Sequence, residues 1–406
     1  MTGHDLTNTR AVHAGTGPCD VRHALTTAIV HSAPFTFAST REVLDYVEGR
    51  SERTQPEYGR MGNPTVSRVE ARLAAIEGAE RARLFASGMA AVTTTMLAYL
   101  ERGDHLVLTS DCYKRTRDFG TALLARVGIE ASLVAPDVDA IAKALRPETR
   151  VILAEVPSNP YQYVVDIDRL ADLGRDRGVL TVVDSTFATP VNLRPLEWGV
   201  DLVVHSATKY LGGHNDLVAG VVAGREARVA PVADLLSTLG GICDPTTAFL
   251  LDRGLKTLSA RVHLQNTAGL AVARFLEGHP GIRRVFYPGL ASHPQHEVAA
   301  RLMGGYGGVV TFLVDGGFEA TARFVDRLAI PKIAPSLGGV EALVEQPALM
   351  SFWDLAPEER ERLGMHDNLV RLSLGIEEAA DLINDLDQAL SAAGLARTEH
   401  VETKHA

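Results

Sequence analysis

Cysteine is scarce in this chain of 406 residues: Cys19, Cys112 and Cys243 are scattered, with no CxxC pair. That excludes a disulfide framework and offers no zinc-ligand spacing. No block of lysine and arginine occurs, and the formal net charge is −10. Neither nucleic acid nor an anionic membrane is therefore expected as a partner, since both select basic faces. Long apolar runs are missing too. The stretch LVAGVVAG (217–224) ends at Arg225, far short of the roughly 20 residues a membrane span needs. The opening MTGHDLTNTRAVHAG holds no apolar signal segment. There is no internal repeat and no low-complexity stretch. These absences lead to the expectation of a cytoplasmic protein.

What is present has the balance of a folded globular chain, with 46% hydrophobic and 22% charged residues. The length allows two or three domains. Residues 1–62 have little periodicity and read as an extended arm that needs another surface, such as a second subunit. From 63 to 255 helix and strand alternate. PTVSRVEARLAAIEG (64–78) sets Val66, Val69, Leu73 and Ile76 at helical spacing. Short apolar strands follow at 105–110, 131–136, 150–156, 180–185, 201–206 and 217–224, several of them separated by helical stretches. Strands apolar on both faces imply a mostly parallel sheet covered by helices, with ligands beyond the strands' carboxyl ends. Residues 256–406 read as a smaller α+β domain, and a long helix, continuous or with a break, runs across its start from near Thr247 to about Glu277. The closing RTEHVETKHA reads as frayed.

The polar residues at the strand ends form a set. RVILAEV ends at Glu155 and leads into Pro157, Ser158 and Asn159; LTVVD ends at Asp184, followed by Ser185 and Thr186; DLVVHS ends at Ser206, followed by Thr208 and Lys209. Upstream, LFASGMAAV gives an apolar segment, then Ser-Gly-Met, then a helix. Its start offers free N–H groups and a positive dipole end to an anion, and Gly88 permits close backbone approach. A phosphate cradle, a carboxylate, an aromatic face and an amine together suit pyridoxal phosphate. The phosphate fits Gly88, Met89, Ser206 and Thr208, and Asp184 keeps the ring nitrogen protonated. At an effective dielectric of about 20 and a separation of about 4 Å, that pairing contributes about 4 kcal/mol. Tyr113 would stack on the ring, and Lys209 would form the Schiff base and carry protons.

Each signal alone is weak. Ser-x-Thr-Lys is usually a loop, a strand-end Asp is usually a cap or turn residue, and Ser-Gly-Met before a helix is usually an N-cap. The ordered set is far more specific. His205 reads as a packed core histidine. His293 and His296 in SHPQH have metal-like spacing, but no carboxylate or cysteine cluster accompanies them, so no metal is expected.

With EYGRMGNPT, ASGMAA, EVPSNP, VDSTFATP, SATKYLGGHNDLVAG and SLGGVEALVEQPALMS, nearly the whole chain resembles the Cys/Met-metabolism group of pyridoxal-phosphate enzymes. DCYKRTR (111–117), IPKIAPSLGG (330–339) and SFWDLAPEERERLGMHDNLVRLSLGIE (351–377) resemble its plant-type cystathionine γ-synthase branch. The resemblance implies an aspartate-aminotransferase-like α/β fold (fold type I), with a mostly parallel central sheet and a smaller C-terminal α+β domain. It implies Lys209 as the Schiff-base lysine, Asp184 at the pyridine nitrogen with Thr186 beside it, and Tyr113 on the ring. Gly88, Met89, Ser206 and Thr208 would hold the phosphate. Tyr58 and Arg60 of the arm would reach the phosphate of a neighbouring subunit, in a homotetramer built as a dimer of dimers. Asn159, Ser336 and Arg371 would receive the α-carboxylate of an amino-acid substrate, with Tyr113 also near the substrate. Tyr58 and Tyr113 are candidate proton carriers beside Lys209. The chain departs from the family's usual residues at Val156, Gln162, Tyr163 and Pro335, and has Lys114 and Arg115 where much of the family has glycines. The expected activity is γ-replacement on an activated homoserine ester, with cysteine as nucleophile. Its rivals are a γ-lyase releasing a 2-oxo acid and ammonia, γ-substitution with another nucleophile, and a non-catalytic binding homologue. Retention of Lys209, Asp184 and Arg371 argues against the last.

Overall fold

The computed structural model describes residues 8–15, 24–51, 53 and 56–395. Cys19 and the closing RTEHVETKHA lie outside them. The chain divides into two compact units, one of residues 1–156 and 165–260, the other of residues 157–164 and 261–406. The short stretch 157–164 thus leaves the first unit at the end of a strand and packs with the second.

The first unit is built on a seven-stranded sheet of β1 (Arg81–Phe85), β2 (His105–Thr109), β3 (Glu130–Val134), β4 (Thr149–Glu155), β5 (Leu180–Asp184), β6 (Leu202–Ser206) and β7 (Gly220–Gly224), in the order β1-β7-β6-β5-β4-β2-β3. Only β7 runs against the rest. The carboxyl ends of all the other strands therefore lie along one edge. On β6, Leu202 and Val204 join the apolar core that contains Met96 of α4 (Gly88–Tyr99), whereas His205 meets Glu77 of α3 (Pro64–Glu77). Successive side chains of a strand point to opposite faces, so α3 and α4 cover opposite faces of this sheet. The helical positions Val66, Val69, Leu73 and Ile76 are all buried.

The arm, despite its weak periodicity, contains α1 (Asn8–His13) and α2 (Thr40–Val47). Ser39 caps α2 by accepting from Glu42 N, while Glu42 accepts from Ala38 N, a variant of the reciprocal capping box. No residue of α2 is buried. Around it the chain closes on itself through a bridge between Pro34 and Tyr58. The long helix expected from Thr247 has its break at Lys256–Thr257, which separates Pro245–Leu255 from Leu258–Gly278.

The second unit carries a five-stranded sheet of β8 (Ile282–Phe286), β9 (Val309–Val314), β10 (Lys332–Ile333), β11 (Leu343–Glu345) and β12 (Leu369–Ser373), in the order β10-β11-β12-β9-β8. It is antiparallel except at β10–β11. The helix Ala379–Ala392 supplies Leu382, Leu386 and Leu390 to its core.

Candidate functional site

The strand-end set meets along the carboxyl edge of the first sheet. Ser87 caps α4, its hydroxyl accepting from Ala90 N, while Ala91 N takes the Ser87 carbonyl. The N–H groups of Gly88 and Met89 have no internal partner among the described residues. Gly88 lies hard against the end of β6: a Cβ there would stand 2.7 Å from Ser206 Cβ. The Ser206 hydroxyl makes no hydrogen bond to the described protein. Two N–H groups and a hydroxyl therefore converge where only glycine fits, which is the donor set a phosphate needs.

Thr186 ties the neighbouring strands together. Its hydroxyl donates to Asp184 Oδ1 (2.5 Å) and accepts from Ser206 N (2.8 Å), and its own N–H also donates to Asp184 Oδ1 (3.0 Å). No donor among the described residues reaches Asp184 Oδ2. Burial raises the Asp184 carboxyl above its ordinary range, against the lowering effect of the Thr186 bonds and of His205. A half-buried carboxylate with one oxygen committed and one open fits the protonated nitrogen of a pyridoxal ring.

Lys209 follows β6 in a tight turn, with its N–H on the Ser206 carbonyl (3.2 Å) and its carbonyl taken by Gly213 N (2.8 Å). The Thr208 hydroxyl donates to the Ala219 carbonyl (3.2 Å) and accepts from Ala219 N (3.1 Å). Its single proton is thus committed to holding the lysine turn against the strand leading into β7. Tyr113 ends the loop after β2 and begins α5 (Lys114–Asp118). Tyr113 is 45% exposed, and its N–H donates to Glu155 Oε2 (2.8 Å) at the end of β4. Of the two cations that follow, Lys114 is buried and Arg115 exposed. Both face Asp118 Oδ2, at 3.8 and 3.5 Å.

In the second unit Arg371, on β12, stands directly across from Glu345 on β11. Its Nη2 is 3.0 Å from Glu345 Oε1 and donates to the Ser336 carbonyl (3.0 Å), and its Nη1 donates to Asn159 Oδ1 (3.0 Å). Ser336 has φ 122°, a strained conformation for a residue with a side chain. The three expected carboxylate-binding residues are thus brought together. Glu345 was not anticipated, and cross-strand register is the only signal that could have found it. Gln162 and Tyr163, by contrast, serve the interior of this unit. Gln162 is buried, has φ 56°, and donates to the Phe286 carbonyl. Tyr163 packs against the cluster of Tyr161, Phe286, Phe352 and Met365. Neither presents itself as a substrate contact. Val156 is fully buried, its N–H on the Asp184 carbonyl.

Tyr58 and Arg60 have no contact with the strand-end set in the described chain. Tyr58 is exposed, and Arg60 lies near its ring and donates to the Ser237 carbonyl of the helix Glu226–Leu239. A cavity of about 690 Å³ opens at the opposite edge of the sheet, lined by Arg150, Arg175, Arg225 and Arg228. The left-handed caps Gly78, Gly178 and Gly199 also line it. The arginines there complement the negative ends of helices, and the cavity holds none of the strand-end residues. Among the described residues no cluster of His, Cys, Asp or Glu could hold a metal ion, and no helix is long and apolar enough to cross a membrane.

Comparison with known proteins gives a consistent picture. The family model described as Cys/Met metabolism PLP-dependent enzyme matches residues 8–391. The chain is 47% identical over 386 residues to "Cystathionine gamma-synthase 1, chloroplastic" of Nicotiana tabacum, covering 94% of this chain and 71% of that protein. It is 40% identical over 387 residues to "L-methionine gamma-lyase" of Pseudomonas putida, covering 95% and 97%. Among solved structures, metB from Corynebacterium glutamicum is similar with a TM-score of 0.89 at 36% identity, covering 95% of this chain and 97% of that one.

Proposed function

Because the chain belongs to the Cys/Met metabolism family of PLP-dependent enzymes and has its type I fold, we propose that it catalyses γ-replacement on an activated homoserine ester, with cysteine as nucleophile. The likeness to a cystathionine γ-synthase over 94% of the chain is the observation that carries this reading. Bound pyridoxal phosphate supplies an electron sink that acidifies the carbons of an attached amino acid.

The protein's part is to bind, orient and move protons. Gly88 N–H, Met89 N–H and the Ser206 hydroxyl hold the phosphate. Asp184 Oδ2 holds the proton on the ring nitrogen, with Thr186 fixing the carboxylate's direction. Tyr113 covers the ring face. Lys209 would anchor the cofactor through Nζ and would carry the protons taken from the α-carbon and the β-carbon of the substrate. Arg371 receives the α-carboxylate, aided by Asn159 and Ser336. Tyr58 and Arg60 act on the phosphate of a neighbouring subunit, which gives the exposed arm its purpose.

A γ-lyase is the second reading, favoured by the likeness to a methionine γ-lyase. In it water, rather than a thiol, completes the reaction and leaves a 2-oxo acid and ammonia. The packing of Gln162 and Tyr163 within the second unit supports cysteine over another nucleophile, and the buried Val156 leaves γ-substitution with another nucleophile as a third reading. Mass spectrometry of products from O-phospho-, O-acetyl- and O-succinylhomoserine, each with and without cysteine, separates the readings. Cystathionine appearing only with cysteine is expected. A 2-oxo acid formed equally fast without cysteine would install the lyase.

A further inference from the structure

We propose that Glu155 is a positioning residue for Tyr113, its buried carboxylate setting where the phenol ring lies over the cofactor. The proposal rests on the stacking role given to Tyr113 above.

The Tyr113 side chain makes no directional contact of its own among the described residues. It is exposed, and neither an aromatic contact nor a hydrogen bond of its hydroxyl fixes it among the described residues. Its backbone must therefore supply the precision. Tyr113 stands at the N-cap of α5 but makes no side-chain cap, so the first turn of that helix has no reference of its own. The reference comes from another strand. Tyr113 N donates 2.8 Å to Glu155 Oε2 across 42 residues of sequence. Glu155 is only 5% exposed, and its backbone N–H reaches Thr109 Oγ1 (3.4 Å). Strand register then adds a second link, because Glu155 lies directly beside Asp184 on the adjacent parallel strand. Burying the Glu155 carboxylate costs desolvation. A neutral side chain would serve a merely structural turn without that cost. A carboxylate gives a shorter bond, about twice as strong as a neutral acceptor gives. Asp184 and Glu155 together tie the ring's nitrogen and the ring's face to one rigid sheet edge.

The test uses the cofactor-loaded protein and the variants Glu155→Gln, Glu155→Ala, Tyr113→Ala and Glu155→Ala with Tyr113→Ala. The readouts are the cofactor dissociation constant after removal and titration, the visible circular dichroism of the bound cofactor, and the melting temperature. Dissociation constants should rise in the order wild type, Glu155→Gln, Glu155→Ala, the last by about tenfold. The double variant should match Tyr113→Ala, because residues acting through one another do not add. Effects that multiply in the double variant would overturn the proposal, as would Glu155→Ala leaving affinity and dichroism unchanged while Tyr113→Ala alters both. If Glu155→Ala fails to fold, Glu155→Gln decides: weaker cofactor binding at an unchanged melting temperature supports the proposal, and unchanged binding refutes it. Tyr113→Ala without effect would remove the stacking role itself, and the proposal with it.

Discussion

Burial holds the Asp184 carboxyl above the ordinary carboxylate range even though Thr186 donates to it twice. Without a cation beside it, the folded chain binds a proton there more readily than the unfolded chain does. Stability from this group is therefore full below the ordinary carboxylate pKa and is lost as pH rises through the raised one. The cofactor's ring nitrogen removes that handicap. Asp184→Asn should accordingly raise the melting temperature of the cofactor-free protein at neutral pH by about 2 °C. The difference should disappear near pH 4, where the wild-type carboxyl also becomes neutral. In the loaded protein the same change should cost several orders of magnitude in rate, because a neutral ring is a poor sink. Thermal melts at both pH values check the first part.

A second expectation at this scale concerns the pair after Tyr113. Arg115 is exposed whereas Lys114 is buried, so Arg115 is the cation available to an anionic γ-group of the substrate. Replacing both with glycine should raise the apparent KM for O-phosphohomoserine about ten- to a hundredfold. The neutral acetyl ester should be nearly unaffected. Arg115→Gly alone should give the larger part of that effect. Equal effects on both esters would mean that the pair only shapes the loop. Borohydride reduction of the loaded protein, followed by digestion, should place the pyridoxyl label on Lys209.

Among the elements, the parallel strands β2, β4, β5 and β6 were legible because a strand buried on both faces has no polar alternation to blur it. Asp184, Ser206 and Lys209 stood out for the same reason, as polar residues closing apolar runs. What depends on pairing was not legible. Nothing in the sequence sets Glu345 opposite Arg371, or Tyr113 on Glu155. Helix α2 was missed because eight residues are too few for periodicity to rise above noise. The arm's hold on the first unit was equally hidden. Arg72, buried in α3, is 2.7 Å from Asp252 through Nε and donates through Nη1 to the carbonyls of Ala11 and Val12, while Thr27 donates to the other oxygen of Asp252. Arg72→Ala would leave the buried Asp252 with Thr27 and the more distant Lys256 at 3.6 Å, and would loosen α1. It should cost about 3–5 kcal/mol in denaturant unfolding, with proteolysis of the native protein moving to the first 30 or so residues. A loss under about 1 kcal/mol would show that the cluster is already hydrated.

At the scale of the whole molecule, we propose that another copy of the chain covers α2 and Tyr58. The apolar residues Val43, Leu44 and Val47 are exposed, and a soluble monomer seldom leaves such a helix uncovered. We expect a closed homotetramer of two dimers. If the arm serves its neighbour, mixing inactive Arg60→Ala and Lys209→Ala subunits should restore part of the activity, since one site of each hybrid dimer keeps both residues. Verified exchange with no recovery would assign the arm to its own subunit.

The lone reversed strand also governs how this protein comes into being. Strand β1 has no partner until β7 arrives, because Arg81 pairs with Gly224 and Phe85 with Gly220. At ribosomal speeds of about 5–20 residues per second, β1 waits roughly 7–30 s for its mate. Throughout that interval a strand carrying Ala82, Leu84 and Phe85, its backbone unsatisfied, stands open on the nascent chain, and the glycine turn that follows it has no Ser206 to rest against. Chaperone engagement should therefore peak between emergence of residue 85 and emergence of residue 224, and chains arrested in that window should be the ones that aggregate.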